Sequence, residues 1–427
     1  MIRLPEKQAM KAELKSGQKS VITFSSDSSR FYVNGKPVYE NYYGNMWYRL
    51  RFELDTDSMT ALVKLNGREI AQADFSERTT SVDSICFANA SNSPVYVDTV
   101  RVYRMKEHED YVPEPVIPAG SENYTVGVNV CSLWSNGIAD GWACITPYDE
   151  AKPVLGYYDE TVPGTADWEI KYMVEHGIDF QAFCVFANSS DGPLKMEANH
   201  LHDGFMNAKY SDKMKFSLIW EAANASSPAS MEAWKTYYVP YFIENYFKDA
   251  RYMTIDNRPV LAVFGVDDVC KRLALGESGV KEAFDYLENE VKKLGFDGML
   301  YLACGGHSGN LAAMGYDGWY PYSWGTEGYS LDVNITSMKN SVLNESVYAV
   351  PTVSVGFNSI PWHGIRYPLM SVADYKAAHS WVKPRICRPM QRKNGRTTLL
   401  CCLPGTNTAK ARISCRRDLT DSVIWMC

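Results

Sequence analysis

The hydrophobic pattern of this chain changes its period near residue 122, and that change constrains the fold more than any other feature. Beyond it, short apolar runs alternate with segments of helical periodicity. The predicted strands are 126–130, 178–186, 216–220, 259–264, 298–303 and 347–353, and the predicted helices are 167–176, 230–247, 279–294 and 372–382. A β/α repeat over about 260 residues predicts a (β/α)8 barrel. A doubly wound open sheet would need a glycine-rich phosphate turn after its first strand, and 130–134 is not one.

Before the change, residues 20–105 alternate apolar and polar side chains in short runs, as in an antiparallel sandwich. Asn66 and Gly67 predict a two-residue type I′ hairpin, because both tolerate the positive φ angles that this turn requires. The run 95–103 predicts a closing strand and resembles the end of a concanavalin-like jelly roll. We therefore predict a multidomain chain. Its parts are an N-terminal all-β sandwich, jelly-roll-like and truncated (1–107), a proline-rich linker (108–122) and an α/β (β/α)8 TIM barrel (123–383).

The last segment, 384–427, differs in composition from everything before it. It holds five of the 11 cysteines, nine Lys or Arg against two Asp or Glu, and a single aromatic residue, Trp425. Reading its codons from their third base permits Trp-Asn-Glu-Tyr-Gly-Glu-Gly in place of Pro404–Lys410. We interpret the segment as out of frame, which predicts that the last strand region of the barrel is disrupted. A genuine cationic tail for a nucleic-acid or membrane partner is the alternative.

Charge and composition restrict the partners. The chain has a formal net charge of −7 despite its basic tail, which disfavours nucleic acid and anionic membranes. Aromatic residues make up 13% of the chain and favour sugars, whose apolar ring faces stack on such side chains. The cysteines of residues 1–383 lack metal-ligand spacing, and no diphosphate-binding loop is evident, so neither a metal nor another cofactor is expected.

The location of the protein stays open. The N-terminus lacks the apolar core of a signal peptide, and its abrupt start is what a truncated chain would show. Both an extracellular and a cytoplasmic bacterial location are compatible with this sequence. The oligomeric state is not predicted.

The site candidates follow the predicted strands, because the active sites of such barrels lie at the carboxyl ends of their strands. Glu221 is the candidate acid/base residue, since a carboxylate directly after a strand and beside Trp220 can be desolvated. A structural ion pair is its alternative role. The candidates for substrate binding are Trp134, Tyr157, Tyr158, Asp159, Trp220, His307, Trp319, Tyr320, Asn358, Trp362 and His363. Packing is the alternative for each aromatic residue, and helix capping is favoured for Asp267 and Asp268.

Several segments resemble one known group of proteins. The Gly-Tyr-Tyr-Asp-Glu run at 156–160, the Asp167-Trp-Glu-Ile helix and the run 175–183 resemble the glycoside hydrolase family 99-like proteins, including the WbsX-like polysaccharide-biosynthesis proteins. Segments 246–261 and 351–362 also resemble that group, as does the out-of-frame motif. The resemblance covers Tyr124 to about Lys383.

The resemblance implies a barrel enzyme that acts on α-mannoside-like or related glycans with retention of configuration. Its two working carboxylates would be the glutamates of an Asn-Glu-x-x-Glu-Gly motif, and no residue of this chain matches either. Asn358 stands where the family often has Asp, which leaves the sugar open. We expect an oligo- or polysaccharide partner and impaired hydrolysis. A non-catalytic carbohydrate-binding protein, a glycosyltransferase-like role in polysaccharide assembly and a misfolded product remain the alternatives.

Overall fold

The structure, a computed structural model, describes most of the chain in two compact units. The described residues are 1–89, 91–102, 112–118, 125–134, 142, 145–148, 152–153, 155–223, 226–273, 276–325, 328–356, 368–385 and 400–403. The first unit comprises Met1–Glu109, Gly192–Lys195 and Thr236–Asp249. The second comprises Asp110–Asp191, Met196–Lys235 and Ala250–Cys427.

The first unit is built mainly from antiparallel strands. They are β1 (Ile2–Arg3), β2 (Met10–Ser16), β3 (Lys19–Ser26), β4 (Arg30–Val33), β5 (Lys36–Glu40), β6 (Trp47–Tyr48), β7 (Leu50–Asp55), β8 (Thr60–Leu65), β9 (Arg68–Asp74), β10 (Ser84–Asn89) and β11 (Tyr96–Val97). Three sheets result, in the orders β11-β1-β6, β10-β2-β3-β4-β5 and β7-β8-β9. These separate antiparallel sheets agree with the predicted all-β class.

Aromatic rings from all three sheets form the core of this unit. The Phe31 ring lies 4.2 Å from the Tyr42 ring and 5.3 Å from the Tyr48 ring, measured between centroids. The Phe24 ring lies 5.2 Å from Phe31 and 6.4 Å from Phe52 of β7. Burying one such ring contributes roughly 1.5–3 kcal/mol. The cluster therefore packs the faces of the three sheets together.

Two local predictions in this unit have different outcomes. The hairpin at Asn66 and Gly67 is confirmed: their φ angles are 52° and 80°, and Leu65 pairs with Arg68. The closing strand 95–103 is wrong in extent, because only Tyr96–Val97 forms a strand within the described residues. Thr99 has a φ of 51°, in the left-handed region, and this breaks the extended backbone after Val97.

The second unit alternates strands with helices. Its strands are β12 (Thr125–Val130), β13 (Phe180–Ala187), β14 (Met196–Glu197), β15 (Lys215–Glu221), β16 (Thr254–Ile255), β17 (Arg258–Phe264), β18 (Leu300–Cys304), β19 (Gly318–Tyr320), β20 (Tyr348–Ala349) and β21 (Leu400–Leu403). Within the described residues, the helical segments are Pro163–Val174, His200–Gly204, Phe205–Asn207, Ser211–Lys213, Met231–Ala233, Trp234–Tyr238, Val239–Phe242, Ile243–Phe247, Val266–Arg272, Gly276–Lys292, Leu311–Met314, Leu331–Asn344 and Val372–Arg385.

Eight parallel strands form a curled sheet in the order β20-β19-β18-β17-β15-β13-β12-β21. If these eight strands are numbered 1 to 8 along the chain, their order in the sheet is 7-6-5-4-3-2-1-8. This is the cyclic order of a (β/α)8 barrel that is open between its seventh and eighth strands. The expected disruption of the last strand region does not extend to β21, since Leu400–Leu403 pairs in parallel with Thr125–Val128. The segments 386–399 and 404–427 lie outside the described residues.

The sequence missed some elements of this unit. β19 was not predicted as a strand, and Trp319 and Tyr320, expected after a strand, lie within it. A strand of three residues gives too short a pattern to detect. The helix Leu331–Asn344 was also missed. The strand predicted over 347–353 is shorter, covering only Tyr348–Ala349.

The inner face of the parallel sheet is apolar and closely packed. It includes Phe180, Ala182, Cys184, Ile219, Val260, Ala262, Leu300, Leu302, Cys304, Tyr320 and Val350. Alternate residues of each strand share this face. The parity places Glu221 on the same face as Ile219, at the last position of β15. The carboxyl edge of the inner face is therefore where the apolar core meets a titratable group.

Candidate functional site

Glu221 lies between two phenylalanines at the carboxyl edge of the sheet. In the parallel pairing, Glu221 is opposite Phe186 of β13 on one side and opposite Phe264 of β17 on the other. Leu133, Phe186, Phe264 and Tyr322 pack half-buried against the top of the inner core. The Phe264 and Tyr322 rings lie 5.7 Å apart, edge to face. We call Leu133, Phe186, Glu221, Phe264 and Tyr322 the mouth site.

The carboxyl group of Glu221 has an altered environment. Burial raises its pKa above the ordinary value, the Ala223 N–H opposes this, and the nearby Asp268 carboxylate raises it further. The Ala223 N–H donates to Glu221 Oε1 at 3.3 Å. A carboxyl group with a raised pKa keeps its proton to a higher pH than an exposed glutamate does. Burial thus favours the protonated form of Glu221, which is the form that a general acid needs.

The backbone just after β17 lies close against the backbone just after β15, and the mouth site lies at the ends of these two strands. Gly265, just after β17, has a φ of 84°, and a Cβ there would lie 2.7 Å from the Ala223 nitrogen. The Ala222 N–H donates to the Phe264 carbonyl at 2.8 Å. Because only glycine fits this approach without strain, Gly265 keeps the residue after Glu221 against the end of β17.

An aromatic cluster stands beside the mouth site, after β12. The Trp134 and Trp142 rings lie 4.4 Å apart, and Trp142 Nε1 donates to the Tyr158 carbonyl at 2.6 Å. Tyr157 contacts Trp142 at 5.4 Å and is exposed. We call Trp134, Trp142, Tyr157 and Tyr158 the aromatic wall. Leu133 packs against both this wall and the inner core, so the two are continuous.

The structure places the sequence-predicted residues in several environments. Trp134, Tyr157 and Tyr158 come together in the aromatic wall. Asp159 Oδ1 accepts from the Thr161 N–H at 2.9 Å and from its hydroxyl, which stabilises a local turn. Asn358, Trp362 and His363 lie outside the described residues.

Trp220 lies on the opposite face of β15 from Glu221. It is fully buried, stacks on Trp234 with centroids 5.4 Å apart, and donates from Nε1 to the Ser226 carbonyl at 3.1 Å. In this position the ring packs the strand against the following helix. Trp220 is therefore not part of the mouth site.

The residues after β18 are engaged in local contacts. His307 Nε2 lies 3.1 Å from Glu345 Oε2, and its Nδ1 lies 3.1 Å from the Gly309 carbonyl. Trp319 is buried and donates from Nε1 to the Gly305 carbonyl at 2.7 Å. Tyr320 is buried in the inner core. As placed, these side chains position the loops after β18 and β19.

Clusters of metal-ligating side chains and membrane-spanning helices are both absent from the described part of the chain. No group of three or more His, Cys, Asp or Glu side chains there could hold a metal ion. Within the same residues, no helix is both long and apolar enough to cross a bilayer.

Sequence reasoning missed Phe186, Phe264 and Tyr322. The first two end predicted strands with the same inward parity as their core residues, so strand alternation could have identified them. Asp268 was assigned to helix capping, and it does lie in the first turn of Val266–Arg272. Its effect on Glu221 depends on the adjacency of β15 and β17, which the sequence does not show.

Comparisons with known proteins give a distant structural likeness. No protein-family model matches the chain, and no curated protein sequence matches it. The chain is similar to a GH99 endo-α-mannosidase from Bacteroides thetaiotaomicron solved with bis-tris propane. The two are 13% identical with a TM-score of 0.45, over 68% of this chain and 84% of that chain. A second structure of a GH99 endo-α-mannosidase from that organism is 13% identical with a TM-score of 0.41, over 59% and 69% respectively.

Proposed function

We propose that the chain binds an oligo- or polysaccharide at the mouth site of its barrel-like unit. One observation carries the proposal: Glu221 lies in register between Phe186 and Phe264 at the carboxyl edge of the sheet. Ligand sites in such sheets occur at this edge. The sequence resemblance to family 99-like proteins points to the same class of ligand.

The chemistry of the mouth site suits a sugar ring. The apolar face of a sugar can lie on the rings of Phe264 or Tyr322, while its hydroxyl groups donate to the Glu221 carboxylate. Hydrogen bonds to an ionised acceptor are about twice as strong as neutral ones. Aromatic rings supply apolar contact area at a low cost in side-chain entropy. The mouth site thus offers both kinds of contact that a glycan needs.

Slow or absent hydrolysis is the second part of the proposal. Glu221 could protonate a leaving glycosidic oxygen, and a general acid contributes roughly 10²–10⁴ in rate. Glycoside hydrolysis commonly needs a second carboxyl group as nucleophile or base. The glutamate pair that the family resemblance implies is matched by no residue here. We therefore assign glycan binding with impaired turnover, in the α-mannoside-like class.

The reading frame of the tail decides whether a hydrolytic form exists. We propose that one inserted or deleted base near the codon for Lys383 displaced the Trp-Asn-Glu-Tyr-Gly-Glu-Gly motif. Resequencing the gene from His379 to Cys427 tests this directly. A restored motif predicts retaining glycosidase activity in the corrected protein, whereas an unchanged frame removes the hydrolase assignment.

Binding of α-mannan oligosaccharides by calorimetry tests the proposed function. We expect Phe264→Ala and Glu221→Gln each to weaken affinity about tenfold, which corresponds to about 1.4 kcal/mol of lost contact. Phe296→Ala is the matched control, because Phe296 is also half-buried but precedes β18 at the opposite edge of the sheet. Equal affinities for Phe264→Ala and Phe296→Ala would exclude the mouth site as the binding surface.

A further inference from the structure

Three titratable side chains meet behind the aromatic wall. Glu160 lies in the loop before the helix Pro163–Val174, Glu169 lies in that helix, and His200 begins the turn His200–Gly204. His200 Nε2 lies 2.6 Å from Glu169 Oε2, and its Nδ1 lies 3.6 Å from Glu160 Oε2. The Glu160 and His200 side chains are 1% and 3% exposed, respectively. We call these three residues the acid–histidine cluster.

The cluster is incompletely hydrogen-bonded. Within the described residues, both carboxylate oxygens of Glu160 and Nδ1 of His200 have no hydrogen-bond partner. An uncompensated buried charge costs several kcal/mol, so Glu160 depends on the charge of His200 at close range. The other titratable groups that act on the cluster are Asp159, beside Glu160, and the Cys131 thiol, near His200. Neither supplies a positive charge, which leaves His200 as the cation of the cluster.

Glu160 is also tied to the aromatic wall. Its backbone N–H donates to the Trp134 carbonyl at 2.9 Å. On the other side, Gly204 lies so close that a Cβ there would be 2.2 Å from the Glu160 carbonyl oxygen. The His200 N–H donates to the Ser132 hydroxyl at 3.2 Å, two residues before Trp134. Movement of Glu160 would therefore be transmitted to the wall and to Leu133 of the mouth site.

We propose that His200 is a positioning residue, whose imidazolium holds Glu160 and Glu169 together and thereby fixes the aromatic wall beside the mouth site. Loss of its proton leaves two carboxylates without their cation, and the loop that carries Glu160 then moves away. The glycan-binding consequence rests on the proposed function. The movement of the wall does not, and it can be measured without any ligand.

The expected pH dependence follows from both groups. Burial lowers the pKa of His200, but Glu169 and Glu160 together raise it, from 6.5 to about 9. Burial raises the pKa of Glu160 from 4.5 to about 7, against the opposing effect of His200. The folded chain thus holds more protons than the unfolded chain between pH 4.5 and about 7, at Glu160, and between pH 6.5 and about 9, at His200. The free energy of unfolding therefore falls as pH rises through these two intervals.

The test is a pH titration by ¹⁹F NMR of the full chain labelled with 5-fluorotryptophan. Trp134→Phe and Trp142→Phe identify the two wall resonances. In the natural chain we expect both to shift with a midpoint near pH 9. His200→Gln should abolish that transition, whereas His176→Gln, at an exposed histidine, should retain it.

Glu160→Gln keeps the proposal testable if His200→Gln does not fold. Because the Glu160 carboxylate helps to hold the proton on His200, its removal should move the transition to lower pH. Affinity for α-mannan oligosaccharides should fall severalfold between pH 8 and 10 in the natural chain.

Two results separate the inference from the proposed function. Wall resonances that stay unchanged between pH 7 and 10, or that shift equally in His200→Gln, would overturn the positioning role. A normal wall transition without glycan binding at any pH would support the role of His200 and overturn the proposed function.

Discussion

Replacing Glu244 with alanine is expected to lower the free energy of unfolding of the first unit by roughly 3–5 kcal/mol. Glu244 has no exposed surface and accepts from Arg68 Nη2 at 2.9 Å, from Lys248 Nζ at 2.8 Å and from the Tyr39 hydroxyl. Removing the carboxylate leaves the mostly buried Arg68 guanidinium without its ionic partner. Urea unfolding, monitored separately for each unit, measures the effect.

Glu77→Ala provides the matched control within the same unit. Glu77 also pairs with a lysine, Lys19, at 3.2 Å, but both side chains are largely exposed. An exposed pair contributes about 0–1 kcal/mol, so this change should have little effect. The double change Arg68→Met with Glu244→Met should be less destabilising than the two single changes summed, because no buried charge is left alone. A loss below about 1 kcal/mol in Glu244→Ala would show that the network does not stabilise the unit.

The second large effect is expected at Gly265, where alanine should lower the stability of the second unit by roughly 2–5 kcal/mol. Two costs combine: a non-glycine residue at a φ of 84° is strained, and its Cβ would collide with the Ala223 nitrogen. Since Ala223 donates to Glu221, the displacement should also weaken glycan affinity. Thermal unfolding and calorimetric binding measure the two effects.

Gly295→Ala separates the strain from the collision. Gly295 has a φ of 92°, but a Cβ there would meet no atom within 4 Å. It should therefore lose about 1–2 kcal/mol of stability and retain full glycan affinity. If Gly265→Ala matched Gly295→Ala in both measurements, the packing of the turn after β17 on Ala223 would have no role in the site.

The sequence predicted the parts of the fold that depend on local pattern. Five of the predicted barrel strands correspond closely to observed strands, because buried parallel strands are apolar runs between helical segments. The Asn66–Gly67 hairpin was also predictable, since its turn chemistry is local. The segment Thr236–Asp249 could not be assigned to the first unit from sequence, because its partners are distant along the chain: Arg68 is 176 residues from Glu244.

The sequence predicted only part of the candidate site. Glu221 was predicted as a candidate because it directly follows the predicted strand 216–220, and the structure places it at the last position of β15. Trp220 was proposed beside it, yet adjacent residues of a strand point to opposite faces, and Trp220 packs outward. The acid–histidine cluster was missed, because Glu160 and His200 are 40 positions apart and meet only where the loop before the helix Pro163–Val174 packs on the turn His200–Gly204.

Amide hydrogen exchange of the full chain, measured with and without α-mannan oligosaccharides, tests glycan binding at the mouth site. We expect slower exchange with ligand in the residues after β13, β15 and β17, which include Asn188, Ala223 and Asp268. The segment 294–299, at the opposite edge of the sheet, should exchange at the same rate in both samples. Protection confined to 294–299 or to the first unit, with none at these three strand ends, would contradict glycan binding at the mouth site.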